Sequence, residues 1–528
     1  MLQKRRHIVG ILVVICVLQI AVSLFWGSKK NYLFFDEVFS YPAANSINDQ
    51  DSEFLENTWM DKTWFMNFMS ADSEHRFEYA IPYQNQETDV HPPLFYLFLH
   101  TTCSLIPEEF SYWTGISINI LFFIGCSIAL YFLGEEVFGS TVCGLLASFL
   151  YAVSYGGINT MVYIRMYMLL TLMTLLHTLV YLKGFEARTI DWKSYVGLAT
   201  TLIAGVLSQY YFLFVAFFFG VWYTLKFLTE KRYQVLWRYL TTIFGSAVCS
   251  LIIWPSMWIH LFGGGRGEEA KGNLLSLNGY FSDMKEMFRV INNDLFTKMF
   301  LVILVGMIAL LIINKKRGNQ IEIGNTKKVF AMLFVCAGYF FIVTKVAPYM
   351  VDRYVMPIYP LVYLMVIGAT YKLLEKLISS KFAVILCLLG FGGLSLVHMV
   401  HSGIPYTYAK HSENLERQAI VEDYKDNYAL YISDNKGAHY YDAVQMLKEY
   451  KGYYYVYDLS EIEQTQKDME RISEEDNLIV YVKNKRTFEE TKEFVENVFP
   501  KCSFDENLII DEDEKWDVYL LKLKANEE

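Results

Sequence analysis

Residues 8–26 read IVGILVVICVLQIAVSLFW, and this stretch contains no charged side chain. A helix of this length crosses the hydrocarbon core of a bilayer, which is about 30 Å thick. Lys4, Arg5 and Arg6 precede the stretch, so the positive-inside rule places its N-terminal end in the cytoplasm. A cleaved signal peptide is the alternative, but the run is long for one and no small-x-small cleavage site follows before Lys29. We therefore expect an uncleaved membrane anchor.

The composition of the whole chain is that of a membrane protein. Of its 528 residues, 54% are hydrophobic, 17% are aromatic and 19% are charged, which excludes a disordered, collagenous or small disulfide-stapled protein. Seven of the eight cysteines lie in or beside apolar segments, and only Cys502 lies in the C-terminal tail. Disulfide bonds and Cys-ligated zinc are therefore not expected.

The topology follows from the apolar segments and the basic loops between them. Eleven apolar segments follow the first, near residues 92–106, 112–133, 140–158, 166–182, 194–208, 210–228, 239–262, 294–313, 329–346, 353–371 and 381–401. Short loops rich in Lys and Arg occur at 183–193, 226–238, 314–328 and 372–381. The positive-inside rule makes these four loops cytoplasmic, so the long loop 27–91 and the tail lie outside. An inside N-terminus and an outside C-terminus require an odd number of crossings, so we expect about 11, with the 15-residue segment 92–106 as the one that does not cross.

The tail differs in character from the membrane part. Residues 402–528 carry 16 Lys and Arg against 29 Asp and Glu, whereas residues 1–401 are nearly neutral, which argues against a nucleic-acid partner. Short strand-like runs alternate with amphipathic helix-like runs, an order that predicts a small α/β domain. The tail has no phosphate-binding glycine loop, so nothing indicates a nucleotide. We therefore expect a multi-span domain at 1–401, which includes the outer loop 27–91, and an extracytoplasmic α/β domain at 402–528.

The first outer loop carries the first candidate site. At 65 residues it is far longer than most connections, and long ordered loops are commonly functional. It begins NYLFFDEVFSYPAAN, which places Asp36 and Glu37 among aromatic side chains shortly after the first span. A carboxylate there can take a proton from a hydroxyl acceptor. The alternative is an ordinary acidic pair at a helix N-terminus.

The same loop closes with TDVHPPLFYLFLH. Proline suits the first turn of a helix, so the two prolines after His91 predict a helix whose N-terminus points outward. Free N–H groups and the positive end of the helix dipole favour an anion there, and Asp89 and His91 flank that position. The alternative is that the motif only caps a span.

The remaining candidates lie at the outer edges of later spans. Arg165 lies beside Tyr167, Tyr210 lies in the SQYY turn at 208–211, and Arg353 lies at the start of a span. An arginine at a membrane edge either marks an anion path or extends its head group to the interface. The alternative for the tyrosines is that they are ordinary aromatic residues of the membrane interface.

Together these motifs resemble a known family. The DE pair in FFDEVFSYPAAN, the HPPLFYLFLH stretch, the R-M-Y at 165–167, the SQYY turn and RYVMPIYPL at 353–361 resemble bacterial GT-C glycosyltransferases. The likeness covers roughly residues 1–400 and is strongest to dolichyl-phosphate-mannose protein mannosyltransferases and lipid A aminoarabinose transferases. Such enzymes move a sugar from a polyprenyl-phosphate carrier on the outer face to a hydroxyl, generally with inversion.

The resemblance also implies roles for the candidate residues. Asp36 would be the general base, with Glu37 beside it as the second catalytic carboxylate. The implied substrate-binding residues are Asp89, His91, Arg165, Tyr167, Tyr210 and Arg353. The two arginines would receive the lipid phosphate. The chain departs from its relatives at two positions. Ile164 stands where many of them have an acidic residue, and Val90 stands where some of them have Glu.

We therefore expect an integral-membrane hexosyltransferase that depends on a polyprenyl-phosphate sugar and acts on an extracytoplasmic hydroxyl of a protein, polymer or lipid. The donor brings its own phosphate leaving group, and the planar fork of arginine matches phosphate oxygens. No metal cofactor is expected, although some GT-C enzymes use a divalent metal, because the loop 263–293 has no dense carboxylate cluster beyond Glu268 and Glu269. A transporter or flippase of lipid-linked saccharides is the main alternative and would place ionisable residues near the bilayer midplane. A structural or sensory protein would leave the motifs scattered.

Overall fold

The structure is a computed structural model. It describes residues 2–47, 57–187, 189–263, 265–276, 279–410, 412–433, 438–470, 472, 477–483, 488–499, 503–508 and 516–522. Cys502 lies outside these residues. The chain forms two compact units. The first unit comprises Met1–Ser28, Gln86–Phe98 and Trp113–Ile404, and the second comprises Lys29–Asn85, Leu99–Tyr112 and Pro405–Glu528.

Helices dominate the secondary structure. In chain order the α-helices are α1 (Leu2–Gly27), α2 (Phe35–Asn45), α3 (Lys62–Met69), α4 (Ala80–Thr88), α5 (Leu94–Cys103), α6 (Tyr112–Phe138), α7 (Thr141–Ala152), α8 (Tyr155–Val162), α9 (Tyr167–Leu179), α10 (Trp192–Ser208), α11 (Phe212–Thr229), α12 (Tyr233–Ile253), α13 (Met257–Phe262), α14 (Gly265–Leu275), α15 (Tyr280–Phe296), α16 (Phe300–Lys316), α17 (Thr326–Val346), α18 (Tyr359–Glu375), α19 (Ser380–Cys387), α20 (Gly393–Ser402), α21 (Ser412–Tyr424), α22 (Ala438–Leu447), α23 (Ile462–Met469) and α24 (Phe488–Val498). Wider π-helical turns extend α9 over Val180–Phe185 and join α19 to α20 over Leu388–Gly392.

The first unit is a multi-pass membrane bundle. Among the described residues, eight helical segments are long and apolar enough to span a bilayer: Arg6–Gly27, Tyr112–Phe138, Tyr167–Phe185, Phe212–Thr229, Tyr233–Ile253, Thr326–Val346, Met356–Glu375 and Ser380–Ser402. The number rises to ten if each of two bent pairs, α7 with α8 and α15 with α16, forms one span. The polytopic helical class expected from the sequence is confirmed.

Two predicted segments are not among these candidate spans. The first, 92–106, was already expected not to cross, so the second, 194–208, accounts for the difference between ten spans and the expected 11. Segment 92–106 folds as α5, whose 10 residues span only about 15 Å and cannot cross the core of a bilayer. Segment 194–208 folds as α10, whose 17 residues lie at the lower limit for a crossing. Segments 140–158 and 294–313 are largely apolar, but the helix pairs that contain them bend by 53° and 71°. Hydropathy does not detect such a bend.

The predicted span 239–262 also ends early in the structure. Helix α12 stops at Ile253, and Trp254 adopts a non-helical conformation with φ −137° and ψ 78°. Pro255 causes this stop, because a proline disfavours the helical conformation of the residue before it. The chain then turns into the short helix α13, which carries His260.

The second unit is built on a mixed six-stranded sheet with strand order β1-β3-β2-β4-β6-β5. The strands are β1 (Trp59–Met60), β2 (Tyr428–Ile432), β3 (Gly452–Val456), β4 (Asn477–Lys483), β5 (Ser503–Leu508) and β6 (Trp516–Lys522). Strand β2 pairs in parallel with β3 and β4, and the remaining pairs are antiparallel. The predicted α/β fold of the tail is confirmed.

One strand of this sheet comes from the first outer loop. Trp59 pairs with Tyr454, and its ring contacts the rings of Tyr428 and Tyr454 at centroid distances of 5.1 and 5.4 Å. The sequence analysis missed β1 because two residues are too few to show an alternating pattern. This part of the loop therefore folds with the tail in one unit. The expected division into domains at 1–401 and 402–528 stays a prediction.

Candidate functional site

Arg165 lies in a break between two helices of the first unit. Helix α8 ends at Val162 and α9 begins at Tyr167, so the backbone between them is not helical. The side-chain amide of Asn119 donates to the carbonyl oxygens of Met161 and Tyr163, at 3.0 and 2.7 Å. These bonds satisfy carbonyl groups that a continuous helix would have paired internally. The break therefore has a dedicated polar support inside an apolar bundle.

Close packing fixes the same break. Ile164 approaches Gly115 of α6 so closely that a Cβ atom on Gly115 would lie 2.1 Å from its Cγ2. Only glycine fits at that contact. With the backbone held on this side, Arg165 is 6% exposed, and its guanidinium carbon lies 6.0 Å from the centre of the Tyr96 ring. The arginine is thus held within protein and is not a surface side chain.

The structure brings Arg165 together with two other predicted residues. His91 Nδ1 lies 2.8 Å from Asp89 Oδ2, and Arg165 Nη2 lies 3.5 Å from His91 Nε2. Burial by itself would raise the pKa of Asp89, but the charges of His91 and Arg165 and the hydrogen bond from His91 outweigh it and hold that pKa well below its ordinary value. Asp89 is therefore an anion that orients the imidazole.

This arrangement suits an anionic ligand. Because Nδ1 of the imidazole contacts Asp89, the ring directs Nε2 towards the guanidinium. An anionic phosphate can accept hydrogen bonds from the guanidinium, whose planar fork matches phosphate oxygens. We call Asp89, His91 and Arg165 the arginine–histidine cluster.

A second group of side chains supports the segment that carries Asp89. The Tyr210 hydroxyl lies 2.9 Å from His260 Nδ1 and accepts a hydrogen bond from Trp254 Nε1 at 2.9 Å. His260 Nε2 lies 3.3 Å from the carbonyl oxygen of Glu87. If Nε2–H donates to that carbonyl, Nδ1 is the acceptor for the Tyr210 hydroxyl, so all four groups are consistently paired. This His260 clamp holds the backbone two residues before Asp89.

The sequence analysis missed His260 because it was assigned to the predicted span 239–262. Burial lowers the pKa of His260, and the nearby positive charge of His91 acts in the same direction. Burial likewise raises the pKa of the Tyr210 hydroxyl, and the nearby charge of Asp89 adds to that rise. The sequence signal that could have identified His260 was a single histidine near the end of an apolar run. The neutral forms of both groups keep the clamp intact.

Arg353 lies in a neighbouring part of the first unit. Its backbone N–H donates to Asp352 Oδ1 at 2.8 Å, and its guanidinium carbon lies 5.2 Å from the ring centre of Tyr354. Asn159 of α8 donates to Asp352 Oδ2 at 2.9 Å. The Tyr354 ring also contacts the Tyr211 ring, with centroids 5.3 Å apart.

The turn at Tyr210 and Tyr211 therefore connects the two arginine regions. Tyr210 contributes to the His260 clamp, and Tyr211 contacts the segment that carries Arg353. Tyr167, the last predicted residue of this unit, stacks on Tyr163 with ring centroids 5.6 Å apart. Its ring packs beside the break that carries Arg165.

Asp36 and Glu37 belong to the second unit, in the first turn of α2. Glu37 is completely buried, and its carboxylate pairs with Lys30 Nζ at 2.9 Å. Glu37 Oε2 also accepts a hydrogen bond from the backbone N–H of Phe34 at 2.7 Å, which caps the start of α2. Asp36 is only partly buried. The two adjacent carboxylates thus have different surroundings.

Within the described parts of the chain, no three or more His, Cys, Asp or Glu side chains are grouped so that they could hold a metal ion. The buried carboxylate of Glu37 does not belong to such a group, because the ammonium group of Lys30 pairs with it. Burial lowers the pKa of Lys30, and the charge and hydrogen bond of Glu37 oppose that effect.

Comparison with solved structures identifies the fold. The structure of ArnT from Cupriavidus metallidurans in the apo state matches with a TM-score of 0.52 and 10% identity, over 97% of this chain and 98% of that chain. The oligosaccharyltransferase AglB from Archaeoglobus fulgidus, solved with an inhibitory peptide and a dolichol-phosphate, matches with a TM-score of 0.48 and 10% identity, over 91% and 70% of the two chains. An oligosaccharyltransferase from the same organism, solved with Zn and sulfate, matches at 0.43 and 11%, over 90% and 68%.

The likenesses to the two archaeal oligosaccharyltransferase structures are too weak to carry an argument. No family model matches the sequence, and no curated protein matches it significantly. The match to ArnT covers nearly the full length of both chains, and ArnT is a GT-C protein. The chain therefore has the GT-C fold that its sequence motifs predicted.

Proposed function

We propose that the protein is an integral-membrane glycosyltransferase that moves a sugar from a polyprenyl-phosphate donor to a hydroxyl acceptor. The observation that carries the proposal is the arginine–histidine cluster, in which a buried guanidinium faces an imidazole held by a carboxylate. The fold supports it, because ArnT is the lipid A aminoarabinose transferase, a member of the family that the motifs resemble.

The first part of the reaction is departure of the lipid phosphate. When the bond between the anomeric carbon and the phosphate oxygen breaks, negative charge grows on the phosphate. Arg165 stabilises that charge with its planar fork, and His91 lies beside the guanidinium and holds its orientation. Arg353 supplies a second positive charge. Asp89 contacts no substrate atom in this scheme and keeps the imidazole of His91 correctly oriented.

The second part is attack by the acceptor. Asp36 takes the proton of the acceptor hydroxyl while the hydroxyl oxygen bonds to the anomeric carbon, on the face opposite the departing phosphate. One displacement of this kind inverts the anomeric configuration. Glu37 is buried and paired with Lys30, so its role is to fix the first turn of α2, on which Asp36 lies.

The sites of donor and acceptor are proposed for the outer side of the membrane, as the charges of the loops predict. The acceptor is a hydroxyl of an envelope protein, polymer or lipid, and the donor's hydrocarbon chain remains in the bilayer. Tyr167, beside the break that carries Arg165, provides ring surface for the sugar, and Tyr210 contributes through the clamp that holds the segment before Asp89.

The test uses the full-length protein in lipid nanodiscs with a synthetic short-chain polyprenyl-phosphate hexose. Release of free polyprenyl phosphate that requires an added hydroxyl acceptor is the expected result. Movement of the same donor between the two leaflets of proteoliposomes is measured in parallel and tests the flippase alternative. Movement of intact donor between leaflets without cleavage of the sugar–phosphate bond would replace the transferase with the flippase alternative.

A further inference from the structure

Gln445 makes an unusual contact with the segment that precedes Asp36. Its Oε1 accepts a hydrogen bond from the backbone N–H of Leu33 at 2.9 Å, and its Nε2 donates to the carbonyl oxygen of Leu33 at 3.0 Å. Both residues are buried, and 412 positions separate them in the chain. One side-chain amide therefore pairs with both the backbone N–H and the backbone carbonyl of a single buried residue, as a neighbouring β-strand would.

Residues 406–408, at the start of the tail, also contact this segment. The Asn31 N–H donates to the carbonyl oxygen of Thr407 at 3.1 Å, and Lys30 Nζ donates to the carbonyl oxygen of Tyr406 at 2.5 Å. The rings of Tyr32 and Tyr408 meet edge to face at 5.5 Å. Residues 30–34 are thus fixed to the tail along their whole length.

This segment directly determines where Asp36 lies. Phe34 is the N-cap residue of α2, Asp36 follows in the first turn, and Leu33 immediately precedes the cap. Moving Leu33 would move the cap and rotate the first turn. Errors of about 1 Å in the position of a catalytic group can lower the rate of reaction by roughly 10²-fold.

We propose that the C-terminal domain is a brace for the catalytic loop and that Gln445 is its positioning residue. The domain provides a fixed surface, and the Gln445 amide sets the position of Leu33 and therefore the direction of the Asp36 carboxylate. This proposal rests on the proposed function for its effect on rate. Its structural part, the restraint of residues 30–34, does not depend on that function.

The experiment compares Gln445→Met with a matched control, Gln464→Met, in full-length protein in nanodiscs. Methionine has nearly the size of glutamine but can neither donate nor accept these two bonds. Gln464 is an exposed residue of the same unit, and its amide donates to Asp468 of the same helix, α23. Gln445→Glu serves as a third variant, because it keeps an acceptor for the Leu33 N–H and loses the donor to the Leu33 carbonyl.

Two readouts are measured, and the first is hydrogen exchange of the peptide that covers residues 31–38. We expect faster exchange in Gln445→Met, intermediate exchange in Gln445→Glu and no change in Gln464→Met. The second is steady-state kinetics, for which we expect kcat to fall about 10- to 100-fold in Gln445→Met with the KM for the donor unchanged. A residue with only a structural role would change the melting temperature and leave kcat per folded molecule as it was.

The outcomes separate the two proposals. Unchanged exchange in Gln445→Met would refute the brace, whatever the kinetics show. Faster exchange with normal kcat, in a protein that Asp36→Asn inactivates, would refute Gln445 as a positioning residue while the proposed base stands. Full activity of Asp36→Asn would refute the base itself, and the exchange data would then decide the brace alone. If Gln445→Met does not fold, hydrogen exchange and kinetics are both measured on Gln445→Glu.

Discussion

Arg165 Nη2 lies 3.5 Å from His91 Nε2, while the opposite ring nitrogen of His91 bonds to Asp89 at 2.8 Å. The two residues are 74 positions apart, and one lies in a helix break while the other precedes a helix. The pair places a guanidinium beside an imidazole inside an apolar bundle. The carboxylate of Asp89 balances part of the charge of Arg165.

The first prediction concerns the two arginines. Arg165→Lys and Arg353→Lys each keep one charge and lose the planar fork, so binding of the donor phosphate should weaken. A lost hydrogen bond to a charged group costs roughly 1.5–3 kcal/mol, which corresponds to an increase of about 10- to 100-fold in the KM for the donor. Arg238→Lys, at an exposed arginine of α12, is the control. Unchanged donor kinetics in both variants would refute a role of these arginines in binding the donor phosphate.

The second prediction concerns Asp36 as the general base. Asp36→Asn has nearly the same shape but cannot accept the proton, so kcat should fall by about 10²-fold or more while donor binding persists. The matched control is Asp61→Asn in the same unit, since Asp61 only caps α3 by accepting hydrogen bonds from Thr63 and Trp64. That control should cost at most about 1 kcal/mol of stability and leave turnover intact. Transfer from the synthetic donor, normalised to folded protein, measures both.

The third prediction separates Glu37 from Asp36. Glu37→Gln removes the negative charge beside the buried Lys30, so the free energy of unfolding should fall by about 3 kcal/mol. Turnover of the molecules that remain folded should fall much less than in Asp36→Asn. The double variant Lys30→Met with Glu37→Gln removes both charges and should recover much of the stability. Thermal unfolding in detergent is the measurement, and failure of the double variant to recover would contradict the ion-pair explanation.

The fourth prediction uses the lowered pKa of His260. In the unfolded chain histidine takes up a proton near pH 6.5, whereas the folded protein keeps His260 neutral to lower pH. The unfolded state therefore binds more protons as pH falls below about 6.5, and stability falls with it until the pKa of the folded state is reached. His260→Gln should lose stability at pH 7.5 and show a smaller further loss at pH 5.5 than the unchanged protein. Melting curves of both proteins at the two pH values test this, and equal pH dependence would refute it.

The fifth prediction concerns orientation. The loop 27–91 and the tail 402–528 should lie on the same, outer side of the membrane, as the basic cytoplasmic loops indicate. If α10 crosses together with the ten candidate spans, the number of crossings is 11, the odd number that this orientation requires. Protease added to intact spheroplasts should cut both segments. A protected tail beside a cleaved loop would contradict the predicted orientation.

The sequence predicted the membrane-spanning class, the α/β tail and the residues of the arginine–histidine cluster. Hydropathy succeeds because a lipid-embedded helix must satisfy its backbone within itself, so its signature is local. Strands β2, β3, β4 and β6 were visible for a similar reason, because each places several β-branched or aromatic residues in a short run. Pro92 and Pro93 marked the beginning of α5 through their fixed φ angles.

Tertiary structure alone decided the relationships between distant residues. The sequence contains nothing that pairs Gln445 with Leu33, His260 with Tyr210 or Lys30 with Glu37 in preference to other polar neighbours. Each of these contacts exists because packing buries a polar group, and a buried polar group must find whichever partner the fold brings within reach. Composition and periodicity therefore determined which segments enter the membrane or form a sheet. The folded arrangement determined which side chains support Asp89 and the start of α2, and these are the supports on which the proposed chemistry depends.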